Sequence, residues 1–114
     1  MKIAVTGANG FIGAALTHEL CEKGYDVRGI VRSKERSLNR NSRLEIFAVG
    51  EINSDTNWND ALKGIDVVIH LASRVHKLID VSINPLADYR GVNTGGTQKL
   101  AEMSAQAGTR RLIF

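Results

Sequence analysis

Val5-Thr6-Gly7-Ala8-Asn9-Gly10-Phe11-Ile12-Gly13 stands between an apolar pentad and an amphipathic run, and its three glycines fall where one hands over to the other. Lys2 to Thr6 reads as a short buried strand. Ile12, Ala15, Leu16 and Leu20 then recur at helical spacing, with His18, Glu19, Glu22 and Lys23 assigned to the wet side. Gly7 can supply the tight turn, Gly10 lets backbone approach a phosphate with no Cβ in the way, and Gly13 lets the helix lie close to the sheet. Free N–H groups and the positive end of the helix then face an anion. A glycine triplet alone is weak, because turns also need glycine. A strand before it and a helix after it make a dinucleotide diphosphate site the stronger reading.

The rest of the chain repeats the same alternation. Gly24 ends the first helix, and Asp26 to Val31 is a second strand. A polar, basic segment from Arg32 to Ser42 follows, and Arg43 to Val49 is a third strand. Asp55 to Leu62 places Trp58, Ala61 and Leu62 at helical spacing between Asp55 as cap and Gly64 as stop, so a helix is expected there. Asp66 to Ala72 is almost wholly apolar, the pattern of a strand covered on both faces in a parallel sheet. Residues 73 to 85 read as a loop that holds the one proline, Pro85. A long helix is expected from Leu86 to Ala107, with Tyr89, Val92, Gly96, Leu100 and Met103 along one side and Gly108 closing it. Arg111 to Phe114 begins a fifth strand. Right-handed crossovers then give an α/β fold, a Rossmann-type doubly wound parallel sheet of order 3-2-1-4-5, truncated at the fifth strand, with its ligand at the carboxyl ends of strands one and four.

Composition narrows the class. The 114 residues, 43% of them hydrophobic, suffice for one domain, read here as residues 1–114. The single cysteine, Cys21, excludes an internal disulfide framework and reads as a partly packed thiol. No uninterrupted apolar run reaches the roughly 18 residues that span a bilayer. The N-terminus lacks the order of segments that makes a signal peptide. A cytoplasmic protein with no membrane partner is therefore expected. The net charge of +3 is concentrated, because Arg28, Arg32, Lys34, Arg36, Arg40 and Arg43 face only Glu35 between residues 28 and 43. So local a patch suits a small anionic ligand; a nucleic-acid footprint would run along a whole face. For Arg36, Arg40 and Arg43 a solvated loop is the plainer reading.

Arg32 bears on which coenzyme is bound. NAD-specific sites of this kind place an acid at the end of the second strand to bond the ribose hydroxyls, whereas a 2′-phosphate wants an arginine. Here that end reads Val27-Arg28-Gly29-Ile30-Val31-Arg32-Ser33-Lys34, with no carboxylate. Arg32 can stack on adenine while its fork meets the phosphate, Ser33 and Lys34 assisting. Within an NAD(P) site this favours NADP over NAD. His18, His70 and His76 lack ligand spacing, so no metal is expected, and His70 on an apolar strand reads as a satisfied core histidine. A mononucleotide P-loop is excluded by the missing Gly-Lys-Ser/Thr ending.

Together, the glycine turn, the Val67-Val68-Ile69-His70-Leu71-Ala72-Ser73 strand end and the Val92-Asn93-Thr94-Gly95-Gly96-Thr97 segment closely resemble the extended short-chain dehydrogenase/reductase family. The resemblance covers essentially the whole chain. Within that family it is similar to the NAD-dependent epimerase/dehydratase branch, whose members mainly convert nucleotide-linked sugars. The loop after the fourth strand and Asn84-Pro85-Leu86 look most like bacterial nucleoside-diphosphate-sugar epimerases and 4-ketosugar reductases.

The resemblance implies that the coenzyme diphosphate lies at Gly7, Gly10, Phe11 and Ile12, held mostly by backbone amides. Glu51 and Ile52 match an Asp-aliphatic pair in which the acid bonds the adenine amino group and the aliphatic packs on the ring, with Glu here in place of Asp. Leu71, Ala72 and Ser73 would run beside the ribose and nicotinamide half. Asn93 would reach from the long helix to hold the loop or the coenzyme, the alternative being a helix residue bonded to its own backbone. Arg74, Val75 and His76 either border the substrate mouth or belong to a solvated loop. The helix 86–107 could also pack against a second subunit, as in related dimers, although its apolar stripe is first a core face.

Family members transfer hydride with a Tyr-x-x-x-Lys pair, in which the lysine charge lowers the tyrosine pKa. Four residues after Tyr25 and Tyr89 stand Gly29 and Asn93, so no catalytic residue is expected in this chain. It reads as an N-terminal fragment whose catalytic and substrate-binding part lies beyond Phe114. The expected function is the dinucleotide-binding portion of a nucleotide-sugar epimerase or oxidoreductase. The alternative is a nonenzymatic NAD(P)-binding sensor or scaffold of the same fold.

Overall fold

Lys2–Thr6 forms strand β1, Phe11–Glu22 helix α1 and Asp26–Val31 strand β2, the two strands with the bounds read from the sequence. Leu44–Ala48 (β3), Val67–His70 (β4) and Arg111–Ile113 (β5) are each shorter than the runs that announce them. A π-helical turn, Gly91–Gly96, leads straight into α2, Thr97–Ala107. The computed structural model describes residues 1–34, 41–72 and 91–114, and for 91–93 the backbone only. Arg36 and Arg40, the loop with Pro85, and Leu86 and Tyr89 of the expected long helix lie outside the described residues, as do Arg74, Val75 and His76.

All five strands are parallel, in the expected order β3-β2-β1-β4-β5. Because successive side chains alternate between the faces of a sheet, each face has its own core. Ile3, Val5, Val27 and Cys21 pack beneath α1 with Leu16 and Leu20. Ala4, Ile30 and Val68 pack on the other face with Trp58, Leu62, Ile65 and Leu100. Coverage on both sides is what a parallel sheet of nearly continuous apolar strands requires. Among the described residues a groove of about 770 Å³ lies on the α1 face, between Leu20 and Tyr25 on one side and Val67, Ile69 and Ile113 on the other. No helix among the described residues is long and apolar enough to cross a membrane.

Two expectations fail here for physical reasons. The helix expected over Asp55–Leu62 is a succession of turns. Side chains divert its backbone: Asp55 N–H donates to Asn53 Oδ1 at 2.7 Å and Asn59 N–H to Asn57 Oδ1 at 3.0 Å, local bonds that compete with a helical ladder. One helical bond is kept, Leu62 N–H to Trp58 O at 3.0 Å, and the carbonyls that end the segment are bound by Arg28, whose Nη1 donates to Asp60 O (3.3 Å), Ala61 O (2.7 Å) and Lys63 O (2.9 Å). Burial of Leu62, worth about 1.5–3 kcal/mol, and of Trp58 still fastens this segment to the sheet.

Arg28 is thus withdrawn from the basic patch. It is only 7% exposed and its Nε pairs with Glu45 Oε2 at 3.2 Å. Glu45 also meets Lys2 Nζ at 3.0 Å, and the Lys2 bond first, with Arg28 adding to it, holds the Glu45 carboxyl below its ordinary range. Arg43 is tied to Asp26 at 3.3 Å across the ends of β3 and β2.

The second failure concerns α1. Ile12 and Ala15 face solvent, and the buried line is Gly13, Thr17 and Cys21, at i, i+4 and i+8. Small residues there let the helix axis approach the sheet, and Leu16 and Leu20 flank the contact. Thr17 Oγ1 donates back to Ala14 O at 3.0 Å, so its buried hydroxyl is satisfied. Burial pushes the Cys21 thiol up, away from reactivity.

Arg28→Lys, whose single ammonium cannot span three carbonyls and a carboxylate, is expected to lower unfolding free energy by about 2–4 kcal/mol in urea titration. Arg43→Lys should stay within about 0.5 kcal/mol of the parent. Equal effects of the two substitutions would contradict the assignment of Arg28 as an interior clamp.

Candidate coenzyme-binding site

The carboxyl ends of β1 and β4 are neighbours, with Thr6 opposite His70 in the register. β1 is also where the sheet order reverses, since β2 lies on one side of it and β4 on the other. Crevices at such switch points are where doubly wound sheets take ligands.

Backbone fills this corner so closely that side chains are excluded from it. Gly7 has φ +66°, and a Cβ there would lie 2.9 Å from Ala72 N. A Cβ on Gly13 would collide with Gly7 O. Gly10 N–H donates to Gly7 O at 3.0 Å, which closes the turn. Ala8 is fully buried, and its N–H reaches Ile30 O at 3.4 Å.

The start of α1 is left open by this packing. Its N-cap is Gly10, in extended conformation and without a side chain to cap the helix. The first bond of the helix is Ala14 N–H to Gly10 O at 2.9 Å, so the amides of Phe11, Ile12 and Gly13 precede any internal acceptor. Phe11 is 97% exposed. A cluster of uncapped amides at the positive helix end, over a floor of glycine, is complementary to a diphosphate.

The candidate residues for the adenosine half gather at the ends of β2 and β3. Arg32, Ser33 and Lys34 are exposed, and Arg32 Nη1 meets Glu51 Oε1 at 3.4 Å. A 2′-phosphate approaching Arg32 therefore competes with the Glu51 carboxylate. Ile52 is buried in the core, and a Cβ on Gly96 would stand 2.8 Å from Ile52 Cγ2. That contact brings the turn before α2 against the Glu51-Ile52 segment. Leu71 and Ala72 are half-buried beside Gly7. Ser73 and the Asn93 side chain lie outside the described residues.

A polar cluster that sequence reasoning overlooked holds the floor of the crevice. Thr6 is fully buried, and its Oγ1 accepts from Leu71 N–H (3.0 Å) and Ala72 N–H (3.1 Å). The same oxygen stands 2.7 Å from His70 Nδ1, and His70 Nε2 stands 3.2 Å from Thr97 Oγ1 on α2. Both nitrogens of His70 are thus engaged, as expected of a satisfied core histidine. The available signal was the pairing: two polar residues end adjacent strands on one face. Among the described residues no cluster of His, Cys, Asp or Glu could hold a metal ion.

The family model for NAD-dependent epimerases and dehydratases matches residues 3–114. The chain belongs to the NAD-dependent epimerase/dehydratase family. It is 40% identical over 114 residues to a UDP-glucose 4-epimerase of Vibrio cholerae, covering 99% of this chain and 34% of that protein. Against a 3-beta-hydroxysteroid dehydrogenase of Mycolicibacterium neoaurum the identity is 31% over 117 residues, 99% of this chain and 31% of the relative. Among solved structures, MoeE5 in complex with UDP-glucuronic acid and NAD superposes with a TM-score of 0.80 at 34% identity, over 98% of this chain and 35% of that one. A UDP-galactose 4-epimerase gives 0.74 at 30% identity, over 98% and 37%. The chain spans about a third of the length of these relatives.

Burial holds the His70 proton affinity below its ordinary value of 6.5. The unfolded chain then binds a proton that the folded one refuses. His70 contributes stability that is complete above about pH 6.5 and is lost as pH falls through its lowered folded value. The urea midpoint should therefore drop as the buffer is taken below pH 6.5, before carboxylates such as Glu45 titrate, and His70→Asn should remove that early drop. A midpoint that stays level until carboxylates titrate would contradict it.

Gly13→Ala tests the backbone contact by its sign. In an ordinary helix interior the change stabilises by about 0.5–1 kcal/mol. Here the collision with Gly7 O should reverse that to a loss of about 1–3 kcal/mol in urea titration.

Proposed function

We propose that this chain is the dinucleotide-binding portion of an NAD(P)-dependent enzyme that epimerises or reduces nucleotide-linked sugars. One observation carries the reading. The Gly7–Ala72 backbone contact and the uncapped amides of exposed Phe11 and Ile12, with buried Gly13 behind them, make a cradle in which a Cβ has no place and an anion does. The residues present fit the coenzyme: amides of the α1 start for the diphosphate, Arg32, Ser33, Lys34, Glu51 and Ile52 for the adenosine half, Leu71 and Ala72 for the nicotinamide half. When bound, the nicotinamide supplies hydride chemistry. The chain's own residues bind and orient it, and the packed floor of β1 and β4 keeps water from beneath it.

The substrate class is supported by the relatives, a UDP-glucose 4-epimerase and MoeE5 with its UDP-sugar among them. No tyrosine here has a lysine four residues on, so the proton-transfer pair of the family belongs, in this reading, to the remainder of a longer enzyme. The rival reading, a binding protein without chemistry, predicts that no such pair follows Phe114 in the coding sequence.

NADP is the preferred coenzyme in this proposal, because the end of β2 offers Arg32 with Ser33 and Lys34 and no carboxylate at that position. Glu51 restrains the preference by occupying Arg32. Calorimetric titration of the purified chain should give tighter binding of NADP than of NAD. Glu51→Gln should raise that ratio several-fold and Arg32→Ala should lower it about tenfold, the worth of a charge-assisted hydrogen bond. Tighter NAD in the parent chain would overturn the preference, and no binding of either would overturn the dinucleotide reading itself.

A further inference from the structure

The buried hydroxyl of Thr6 decides the protonation state of its neighbour. A threonine oxygen has two lone pairs and one proton. Both lone pairs are taken, by Leu71 N–H and Ala72 N–H. The remaining contact, 2.7 Å to His70 Nδ1, must then be a bond that Thr6 donates. Nδ1 is an unprotonated acceptor, the ring proton sits on Nε2, and Nε2–H donates to Thr97 Oγ1 at 3.2 Å. Five groups on β1, β4, the segment after β4 and α2 are joined in one directed network that closes only around a neutral imidazole.

We propose that His70 is a positioning residue of the coenzyme site: as the neutral Nε2–H tautomer it orients Thr6 to hold the Leu71–Ala72 backbone against Gly7, and a second ring proton releases that hold and weakens coenzyme binding.

The geometry forces the consequence. A proton on Nδ1 would point at the Thr6 proton, and Thr6 could turn away only by surrendering one of its two amides. Leu71 or Ala72 would then be left with its N–H without the Thr6 acceptor in a half-buried corner, at the cost of a lost hydrogen bond. Ala72 N is also the atom nearest the missing Cβ of Gly7, so its release loosens the turn that presents the diphosphate amides. Among the described residues the side chains against the ring are uncharged: Thr6 from β1, Thr97 from α2, and Phe114 beyond β5, whose ring stands edge-on at 6.5 Å and whose α-carboxylate is the charge that residue brings in the 114-residue protein. The charged groups on the elements packed around it are Lys2 on β1, Lys99 and Glu102 on α2 and Arg111 on β5, and burial is what lowers its proton affinity. Of the residues outside the described set, Arg74 and His76 follow β4 in sequence, and the variant below separates them from His70.

The inference rests on the dinucleotide reading for its effect on binding, but its hydrogen-bond half is read in the free chain. Long-range ¹H–¹⁵N spectra of the ¹⁵N-labelled 114-residue protein should show His70 protonated at Nε2 and bare at Nδ1 near neutral pH. The Leu71 and Ala72 amide signals should then shift with the same midpoint as the imidazole. A proton on Nδ1, or amides indifferent to that midpoint, overturns the proposal whether or not coenzyme binds. In titrations with NADP and NAD, the dissociation constant should rise about tenfold one pH unit below the midpoint relative to one unit above it. In His70→Asn, whose Oδ1 accepts but does not titrate, that response should vanish; its persistence would assign the effect to another group and overturn the proposal. Circular dichroism checks that the variant is folded, and if it is not, the parent's tautomer and amide shifts decide. No binding at any pH would count against the dinucleotide reading and leave the free-chain spectra to judge His70.

Discussion

Three stretches of backbone meet at the head of the sheet with no side chain between them. The Gly13 backbone lies against the Gly7 carbonyl, and Gly7 lies against the Ala72 amide. No other residue type satisfies both contacts, because any Cβ at either position enters space already held by main-chain atoms. From this closeness follow the pitch of α1 against β1, the exposure of its first amides and the narrowness of the crevice between β1 and β4. Gly10 completes the arrangement by capping the helix with nothing but backbone. The result is a fixed set of donors at a positive helix end. They need no rearrangement to receive an anion, which is the condition for tight recognition of a diphosphate.

Behind that surface the fold is held by polar groups placed where an apolar core would be expected. Arg28 crosses the interior face from β2 and gathers three carbonyls and a carboxylate. A buried guanidinium is tolerated only when its donors are satisfied, and here they serve carbonyls that a helix ending at residue 62 would leave without internal partners. Thr6 and His70 do the equivalent work at the ligand end of the same face. Both sets join consecutive layers of the structure: Arg28 links the sheet to the segment before β4, and His70 links it to α2.

The sheet was legible from the sequence because strand signals here are local. Apolar runs bounded by Gly24, Gly64 and the glycine turn set β1 and β2 to the residue and gave the strand order, which topology alone then constrains. The family and the glycine floor of the site were legible for the same reason. The Asp55–Leu62 helix was not: the spacing of Trp58, Ala61 and Leu62 records burial and one helical bond, Leu62 N–H to Trp58 O at 3.0 Å, while the Asn53 and Asn57 side chains take the Asp55 and Asn59 amides. The guanidinium that binds the carbonyls ending the segment comes from Arg28, more than thirty residues earlier in the chain. The face of α1 was misjudged at Ile12 and Ala15, since the spacing of large apolar residues hides a contact made through Gly13, Thr17 and Cys21. Of the network of Thr6, His70 and Thr97, only the polar ends of β1 and β4 leave a trace in the sequence, since the register that pairs Thr6 with His70 and the packing of α2 that adds Thr97 are tertiary.

The chain belongs to the NAD-dependent epimerase/dehydratase family, and the proposal puts the coenzyme diphosphate at the first amides of α1. Chemical-shift mapping of the labelled chain during titration with ADP-ribose, which carries the diphosphate but no nicotinamide, reads those amides directly. The Phe11, Ile12 and Gly13 signals should move first and saturate together. Saturable shifts confined elsewhere, such as the groove by Leu20 and Ile113, with those three signals unmoved, would contradict a diphosphate seat at the start of α1.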